Sequence, residues 1–421
     1  MTSRLVQLRR RIHARPEVGF TEIETAAAVV QTLGPEADSV ALGRDVVRHS
    51  TTTGLPSPDE LEQARRRALE AGTPDDLVGL LSRGHTGVVV TIKGERPGLV
   101  TGLRFDMDAL PVQEADTDKH LPFREGFTSV HDGVMHACGH DGHVAIGVEL
   151  GLRLAADRDF PGEVRLIFQP AEEGVRGALT MLNAGVTNGV QRMLGLHLGI
   201  GLPLGTVAAS VQGIMATEKW SVVLTGQSSH AALAPEDGRH AILGAATATL
   251  GLHTLPQVAG ATTRLNVGAF HGGTAANVVP DCANLLIELR ADTTPALQQL
   301  KNRARRTIAG AAQSYDLEWR VNVTGRAVAA HCNDAQIQAM LAAAEQIPAI
   351  TKALPSAPMS ASDDVTLLME AVQHNSGTAT FALVGAASPA PHHHPSFDID
   401  EHCLAIATDW LEAAVRRNPH P

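Results

Sequence analysis

A chain of 421 residues that is 44% apolar but only 3% aromatic is too long for one small core and points to two domains built on Ala, Val, Leu and Gly. Its formal net charge of −11 argues against nucleic acid or an anionic membrane surface as the main partner. The four cysteines, at 138, 282, 332 and 403, form no C-x-x-C pair and no disulfide framework, so a reducing cytoplasm is expected.

The basic start, MTSRLVQLRRRIHARPE, carries no apolar stretch after its charges, so no signal peptide is expected. Thr21 and Glu24 have capping-box spacing before TAAAVVQTL and predict a helix from about residue 22. Residues 45–82 are polar and helical in pattern and read as a surface insertion. HTGVVVTIKG, GLVTGLRFDMDALP, EVRLIFQPAEEG and RMLGLHLGIG read as strands, and HVAIGVELGLRLAAD as a helix of 3.6-residue period. Such alternation predicts an α/β fold, with a mainly parallel sheet flanked by helices. In sheets of that kind ligands gather at the carboxyl ends of strands. Asp106, Asp108, Glu172, Glu173 and His197 all fall there.

The texture changes near 213. KWSVVLTGQSSH, TRLNVGAFHGG and ANLLIELRAD are alternating strands, separated by helical stretches at 239–252 and 294–313. This predicts a smaller α+β block of βαββαβ, ferredoxin-like order. The uncharged run 241–263 holds Pro256 and several Thr and Gly, so it reads as a core helix plus loop rather than a membrane span. After 331 helix–strand alternation returns, with ATFALVG as a strand and a last helix over 401–415. The expected organisation is one domain from 1–212 and 331–421, with 213–330 inserted in it.

The chemistry concentrates in MHACGHDGH, residues 135–143, which packs one cysteine and three histidines into nine positions. Each candidate alone has a bland explanation. MHACGHDGH could be a loop around a buried cysteine, PAEEG a solvated turn, LGLHLG a core histidine, and the run His392–His394 adventitious. A cysteine nucleophile is a further possibility, but Cys138 and His140 are one residue apart, a poor geometry for pairing. Their joint occurrence at strand ends points instead to a metal site. Zinc and manganese take imidazole nitrogen and carboxylate oxygen, zinc also takes thiolate, and adjacent glutamates can divide into one ligand and one free base.

RRRIHARPEVGFTE, RFDMDALP, MHACGHDGH, LIFQPAEEG, GLHLG, GGTAANVVPD and HHHPSFDIDE together resemble the M20 family of metal-dependent amidohydrolases and carboxypeptidases, in its branch of hippurate and indoleacetyl-amino-acid hydrolases. LGRDVVRHSTTTGLP and TLLMEAVQHNSGTA are similar, more narrowly, to the A subunits of p-aminobenzoyl-glutamate hydrolases. The resemblance implies two divalent metal ions, Mn or Zn, held by Cys138, His140, Glu173, His197 and one histidine of 392–394, with the register before Phe397 favouring His393. It implies Glu172 as general base and acid, and Asp108 as a residue orienting a ligand histidine. It makes the inserted block a lid and dimerisation domain, whose His230 polarises the scissile carbonyl from the partner subunit. Asn277 and Arg290 would bind the substrate's carboxylate end.

The implied reaction is hydrolysis of an N-acyl amino acid, with an aromatic acyl group and glutamate or aspartate. The implied assembly is a homodimer or a hetero-oligomer with a homologous second chain. An indoleacetyl-aspartate hydrolase is the alternative within the branch. A non-catalytic, metal-binding partner chain is the alternative outside it, and the intact Glu172–Glu173 pair argues against that. The chain reads SASDD where relatives read Ser-Glu-Asp, so Asp363 is one methylene shorter.

Overall fold

A computed structural model describes residues 3–49, 54–359 and 361–417. Residues 50–53 of the polar insertion and Ser360 at the head of SASDD lie outside the described residues. The described residues divide into two compact units, one from 3–49, 55–212 and 330–417, the other from Gly54 and Gly213–Ala329.

Numbered along the chain, the strands are β1 (Ser39–Leu42), β2 (Val88–Lys93), β3 (Arg96–Asp106), β4 (Pro161–Gln169), β5 (Arg192–Leu198), β6 (Thr206–Ala208), β7 (Val211–Gln212), β8 (Ala216–Thr225), β9 (Thr263–Gly272), β10 (Cys282–Ala291), β11 (Glu318–Ala327), β12 (Lys352–Leu354), β13 (Ala357–Pro358) and β14 (Thr378–Val384). The first unit is built on one eight-stranded sheet in the order β1-β2-β4-β3-β5-β14-β6-β12. Its centre, β4-β3-β5-β14, is parallel. β1 and β2 extend it antiparallel at one side, and β6 is antiparallel to β14 at the other. All seven residues of β5, RMLGLHL, are buried, as expected of a central parallel strand covered on both faces. The His140–Ala156 helix is buried along nearly its whole length, because Arg4–His13, Ile23–Leu33 and His402–Arg416 pack around it.

Local signals were partly overridden. The helix expected from about 22 runs Ile23–Leu33, but Thr21 does not cap it. The Thr21 hydroxyl donates to the Val18 carbonyl. The unpaired N–H groups of Glu24 and Thr25 go to the Glu17 carboxylate, at 3.0 and 2.9 Å. The Glu17 carboxylate offers one oxygen to each donor, while the Thr21 hydroxyl is turned to Val18. In the polar insertion the capping box does form, between Ser57 and Glu60, at the start of Pro58–Glu70.

The second unit has the order β8, helix Ala241–His253, β9, β10, helix Thr294–Gln313, β11. Its antiparallel sheet runs β11-β8-β10-β9, the ferredoxin-like arrangement. Alternate residues of β8, such as Trp220, Val222 and Leu224, point into its core. Among the described residues no helix is long and apolar enough to cross a membrane.

The Arg4–His13 helix is fastened to the first unit by buried charge. Arg9, wholly buried, bonds Asp141 at 2.7 Å and Asp398 at 2.6 Å. His13 lies 2.7 Å from Asp141 and 2.9 Å from Glu114. Burial lowers its pKa and so does the Arg9 charge, but the hydrogen bonds to Asp141 and Glu114 outweigh them and hold it up at about 9. A raised folded pKa means that folding takes up a proton above the free value of 6.5. The stabilisation is therefore complete below pH 6.5 and lost as pH rises through 9. The urea midpoint is expected to fall between about pH 6.5 and 9.5, and His13→Gln to flatten that dependence. A midpoint equally steep in the mutant would assign the pH effect elsewhere.

Candidate active site

The four central strands are parallel, so their carboxyl ends share one edge of the sheet. Asp106 at the end of β3 is in register with Gln169 at the end of β4, and Leu198 of β5 with Val384 of β14. Asp108, Glu172, Glu173, His197, His392 and His393 sit at or just beyond these ends. Non-glycine residues in left-handed backbone recur in the loops that follow: Ala171 (φ 51°), Val175 (58°), Ile200 (49°), Ala387 (42°) and His393 (65°). Such strain persists where the surroundings over-determine it, and it clusters at functional sites.

Cys138 and His140 reach this edge from the start of the His140–Ala156 helix. Gly139 between them has φ 89°, which a side chain at that position would strain. The turn lets both flanking side chains face one place. Two groups of potential ligand atoms result, each with its atoms within 4.8 Å of one another: Cys138, His197 and His392, and Cys138, His140 and Glu173. The thiol is common to both.

These donors fit divalent metal. Cys138 Sγ lies 3.5 Å from His197 Nε2, and His393 Nε2 lies 3.3 Å from Glu173 Oε1. Two bonds of about 2.0–2.3 Å meeting at a tetrahedral angle separate their ligand atoms by roughly 3.3–3.6 Å. Glu173 Oε1 and His140 Nε2 are buried without a hydrogen-bond partner, so the 3.3 Å approach of His393 is proximity without hydrogen-bond alignment. His140 donates Nδ1–H to the Asp108 carbonyl at 2.8 Å, and His197 donates Nδ1–H to the Leu198 carbonyl at 2.8 Å. Both rings are thereby oriented with Nε2 toward the site, as metal-ligating histidines are. Burial lowers the His140 pKa, but Asp106 and Cys138 outweigh it and hold it well above its ordinary value. Burial holds the His197 pKa well below its ordinary value, helped by neighbouring imidazoles. Burial also pushes the Cys138 thiol up, with Glu173 adding to it, so a thiolate here calls for a cation.

His143, which groups with Asp106 and His140, has no nitrogen left to give. Its Nε2 accepts the Leu198 N–H at 3.0 Å, and its Nδ1–H donates to Asp106 at 2.5 Å. Asp108 does more than steady His140. Its two carboxylate oxygens accept the N–H groups of Glu172 and Glu173, each at 2.9 Å, and so hold the turn that carries both glutamates. Glu172 is buried and groups with Asp363 and Asp364. Burial, then the charges of Asp363, Glu173 and Asp364, push its pKa well above the ordinary carboxylate value. That is the character of a group that accepts and returns a proton. Asp363 itself lies 3.1 Å from the buried Arg104, which also bonds Asp106 and Asp364.

The second unit holds the remaining candidates. His230 bridges backbone to Val278, and Ala231 N–H donates to the Asn277 carbonyl at 3.0 Å, so His230 and Asn277 are neighbours. The N–H groups of Ala232 and Leu233 point at His230 Nδ1, at 3.2 and 3.1 Å. The proton is therefore on Nε2, which is exposed. Arg290 is not brought to them. It pairs with Glu288 at 2.9 Å near the far end of β10.

Sequence reasoning placed Asp106 at a strand end without a partner and gave no role to Arg104 or His143. Their signal was present: Arg104 and Asp106, two apart on one strand with opposite charges, share a face.

The family described as peptidase family M20/M25/M40 matches residues 102–417. The indole-3-acetyl-aspartic acid hydrolase of Enterobacter agglomerans is 39% identical over 99% of this chain and 96% of its own length. The A subunit of the p-aminobenzoyl-glutamate hydrolase of Escherichia coli is 38% identical over 100% and 97%. Among solved structures, an aminobenzoyl-glutamate utilization protein from Klebsiella pneumoniae superposes with a TM-score of 0.85 at 34% identity, covering 99% of this chain and 96% of the other. The Bacillus subtilis YXEP protein, described as a dinuclear metal-binding M20 peptidase, has a TM-score of 0.67 at 27% identity, covering 99% and 98%.

Proposed function

The chain belongs to peptidase family M20/M25/M40 and is a hydrolase of amide bonds, and we propose that it cleaves the bond between an aromatic acyl group and an acidic amino acid, as in p-aminobenzoyl-glutamate. The observation that carries this is one sheet edge where two donor groups share the Cys138 thiol and the buried Glu172, its pKa raised, stands beside them. Two divalent ions held by Cys138, His140, Glu173, His197 and one histidine of 392–394 would supply Lewis-acid polarisation and an acidified water. His393 lies 3.3 Å from Glu173 Oε1, whereas His392 is the one grouped with Cys138 and His197. The thiolate favours zinc, and the imidazole and carboxylate donors suit manganese as well. Glu172 takes the proton of the attacking water and returns it to the leaving amine nitrogen. His230 presents Nε2–H to the carbonyl oxygen as charge builds there. Arg290 holds the substrate's carboxylate end as a two-pronged donor, and Asn277 comes to it, with His230, from another copy of the chain.

The two curated relatives above are named for substrates that share an aromatic acyl group and an acidic amino acid, which supports the substrate class. Indole-3-acetyl-aspartate is accordingly the second reading. The assembly proposed is a homodimer, or a complex with a homologous second chain.

The test is hydrolysis by the purified chain, loaded with zinc or manganese, of p-aminobenzoyl-glutamate, indole-3-acetyl-aspartate and the corresponding neutral alanine amides. The acidic substrates should be preferred by at least about tenfold in kcat/KM. Activity that emerges only on adding a homologous second chain would select the hetero-oligomer. Failure to cleave any of them in either state, with metal bound, would remove the proposal.

A further inference from the structure

The N-terminal motif RRRIHARPEVGFTE has no task in the reaction as described, yet part of it grips the turn that carries both glutamates. We infer that Glu22 is a positioning residue, whose buried carboxylate sets the backbone of Ala171–Glu173 and through it the placement of Glu173 against the metal donors. The inference rests on the metal reading above.

Glu22 is fully buried. One carboxylate oxygen accepts the Ala171 N–H at 2.8 Å, and the other accepts the Thr86 hydroxyl at 2.5 Å. Asp108 takes the next two N–H groups, of Glu172 and Glu173. Three successive backbone donors are thus aimed at two carboxylates from distant parts of the chain. Ala171 needs this, since its φ of 51° is left-handed backbone in a residue with a Cβ. The contact between segments is close as well. A Cβ added to Gly19 would come within 2.9 Å of Ala171 Cα and 2.6 Å of an Arg176 nitrogen. Burial, and then the nearby Asp108, raise the Glu22 pKa to about 8, and apolar packing alone would not select two buried acids side by side. Holding a strained turn in one register accounts for it.

Without Glu22 the Ala171 N–H is left unpaired and buried. Relaxation of the turn then moves Glu172 and Glu173 together, while Cys138, His140 and His197 stay where they are. Zinc affinity should fall although the fold survives.

The experiment titrates zinc into chelator-stripped wild type, Glu22→Ala, Glu22→Gln and Met340→Ala, against a chromophoric chelator, with folding followed by circular dichroism. Glu22→Ala should weaken zinc binding about 10- to 100-fold, the range for residues that orient metal ligands. Glu22→Gln keeps a carbonyl oxygen for the Ala171 N–H and should stay within about threefold of wild type. Met340→Ala truncates a buried core residue in the Asp334–Ala344 helix and reports loss of stability alone; its zinc affinity should not move. Wild-type affinity in Glu22→Ala, or equal weakening in Met340→Ala, overturns the inference. If Glu22→Ala does not fold, Glu22→Asp decides in its place. It keeps the carboxyl group but loses the reach, so wild-type zinc affinity in that variant overturns the inference too. A wild-type chain that binds no zinc or manganese fails the metal reading itself, and that is seen before any variant is compared.

Discussion

Glu172→Gln is expected to lower kcat by at least about 100-fold while leaving fold and metal content intact. The amide is isosteric with the carboxyl, and the backbone N–H of residue 172 remains bonded to Asp108. Glu172 shares its pocket with Asp363 and Asp364, so removing its charge relieves repulsion and should not destabilise the chain. What would disappear is the group proposed to carry the proton between water and amine. The neighbouring substitution separates the roles. Glu173 is the glutamate grouped with Cys138 and His140, and Glu173→Gln should lose metal, with activity falling as a consequence. Metal analysis of the two purified mutants, beside single-turnover kinetics, reads both outcomes. Metal loss in Glu172→Gln together with full occupancy in Glu173→Gln would exchange the two assignments.

The parts of this site that were legible in the sequence are those where chemistry interrupts a periodic pattern. β3, β4 and β5 read as apolar runs that stop at RFDMD, QPAEEG and LHLG, and the acids and His197 stand out because the strand signal ends there. The βαββαβ order of the second unit was legible for the same reason. The supports of the site were not. Arg9 lies in the basic start LVQLRRRIH, where nothing local marks it as buried, yet its guanidinium is buried against Asp141 and Asp398, 132 and 389 residues away. Thr21 looked like the cap of its helix because local spacing says so, and Glu17 won because a carboxylate already folded against the helix start satisfies two donors. Glu22 is one acid among several in a polar stretch, and only the fold shows it against Ala171. Asp363 was visible as a departure from the family pattern, whereas its tie to Arg104, 259 residues away, was not. Charges whose partners are remote in sequence look like surface charges until the chain is folded.

The second large effect is expected at His230. Its Nδ1 faces two backbone N–H groups, which leaves Nε2–H as an exposed donor, and Asn277 lies beside it. Arg290 is eight residues along β10 from Cys282, the end nearer His230, a run of roughly 27 Å at about 3.4 Å per residue. In an acyl-glutamate the scissile carbonyl and the α-carboxylate are only about 4 Å apart. One second unit therefore cannot supply both His230 to the carbonyl and Arg290 to the carboxylate of the same substrate, which supports a site completed by His230 of another copy of the chain. In a two-fold dimer each chain would lend its histidine to the other. His230→Ala alone should then be as inactive as Glu172→Gln alone. Mixed under conditions that exchange protomers, the two mutants should recover activity. In the mixed dimer the Glu172→Gln chain brings an intact His230 to the chain whose Glu172 is intact, and the opposite site lacks both groups. Random exchange makes half the dimers mixed with one working site of two, so roughly a quarter of wild-type activity should return. If His230 serves its own chain, every site still lacks one group and nothing returns. Exchange demonstrated by mass spectrometry with no recovery would therefore end the shared-site proposal, and would also require Arg290 to act somewhere other than at the substrate's carboxylate.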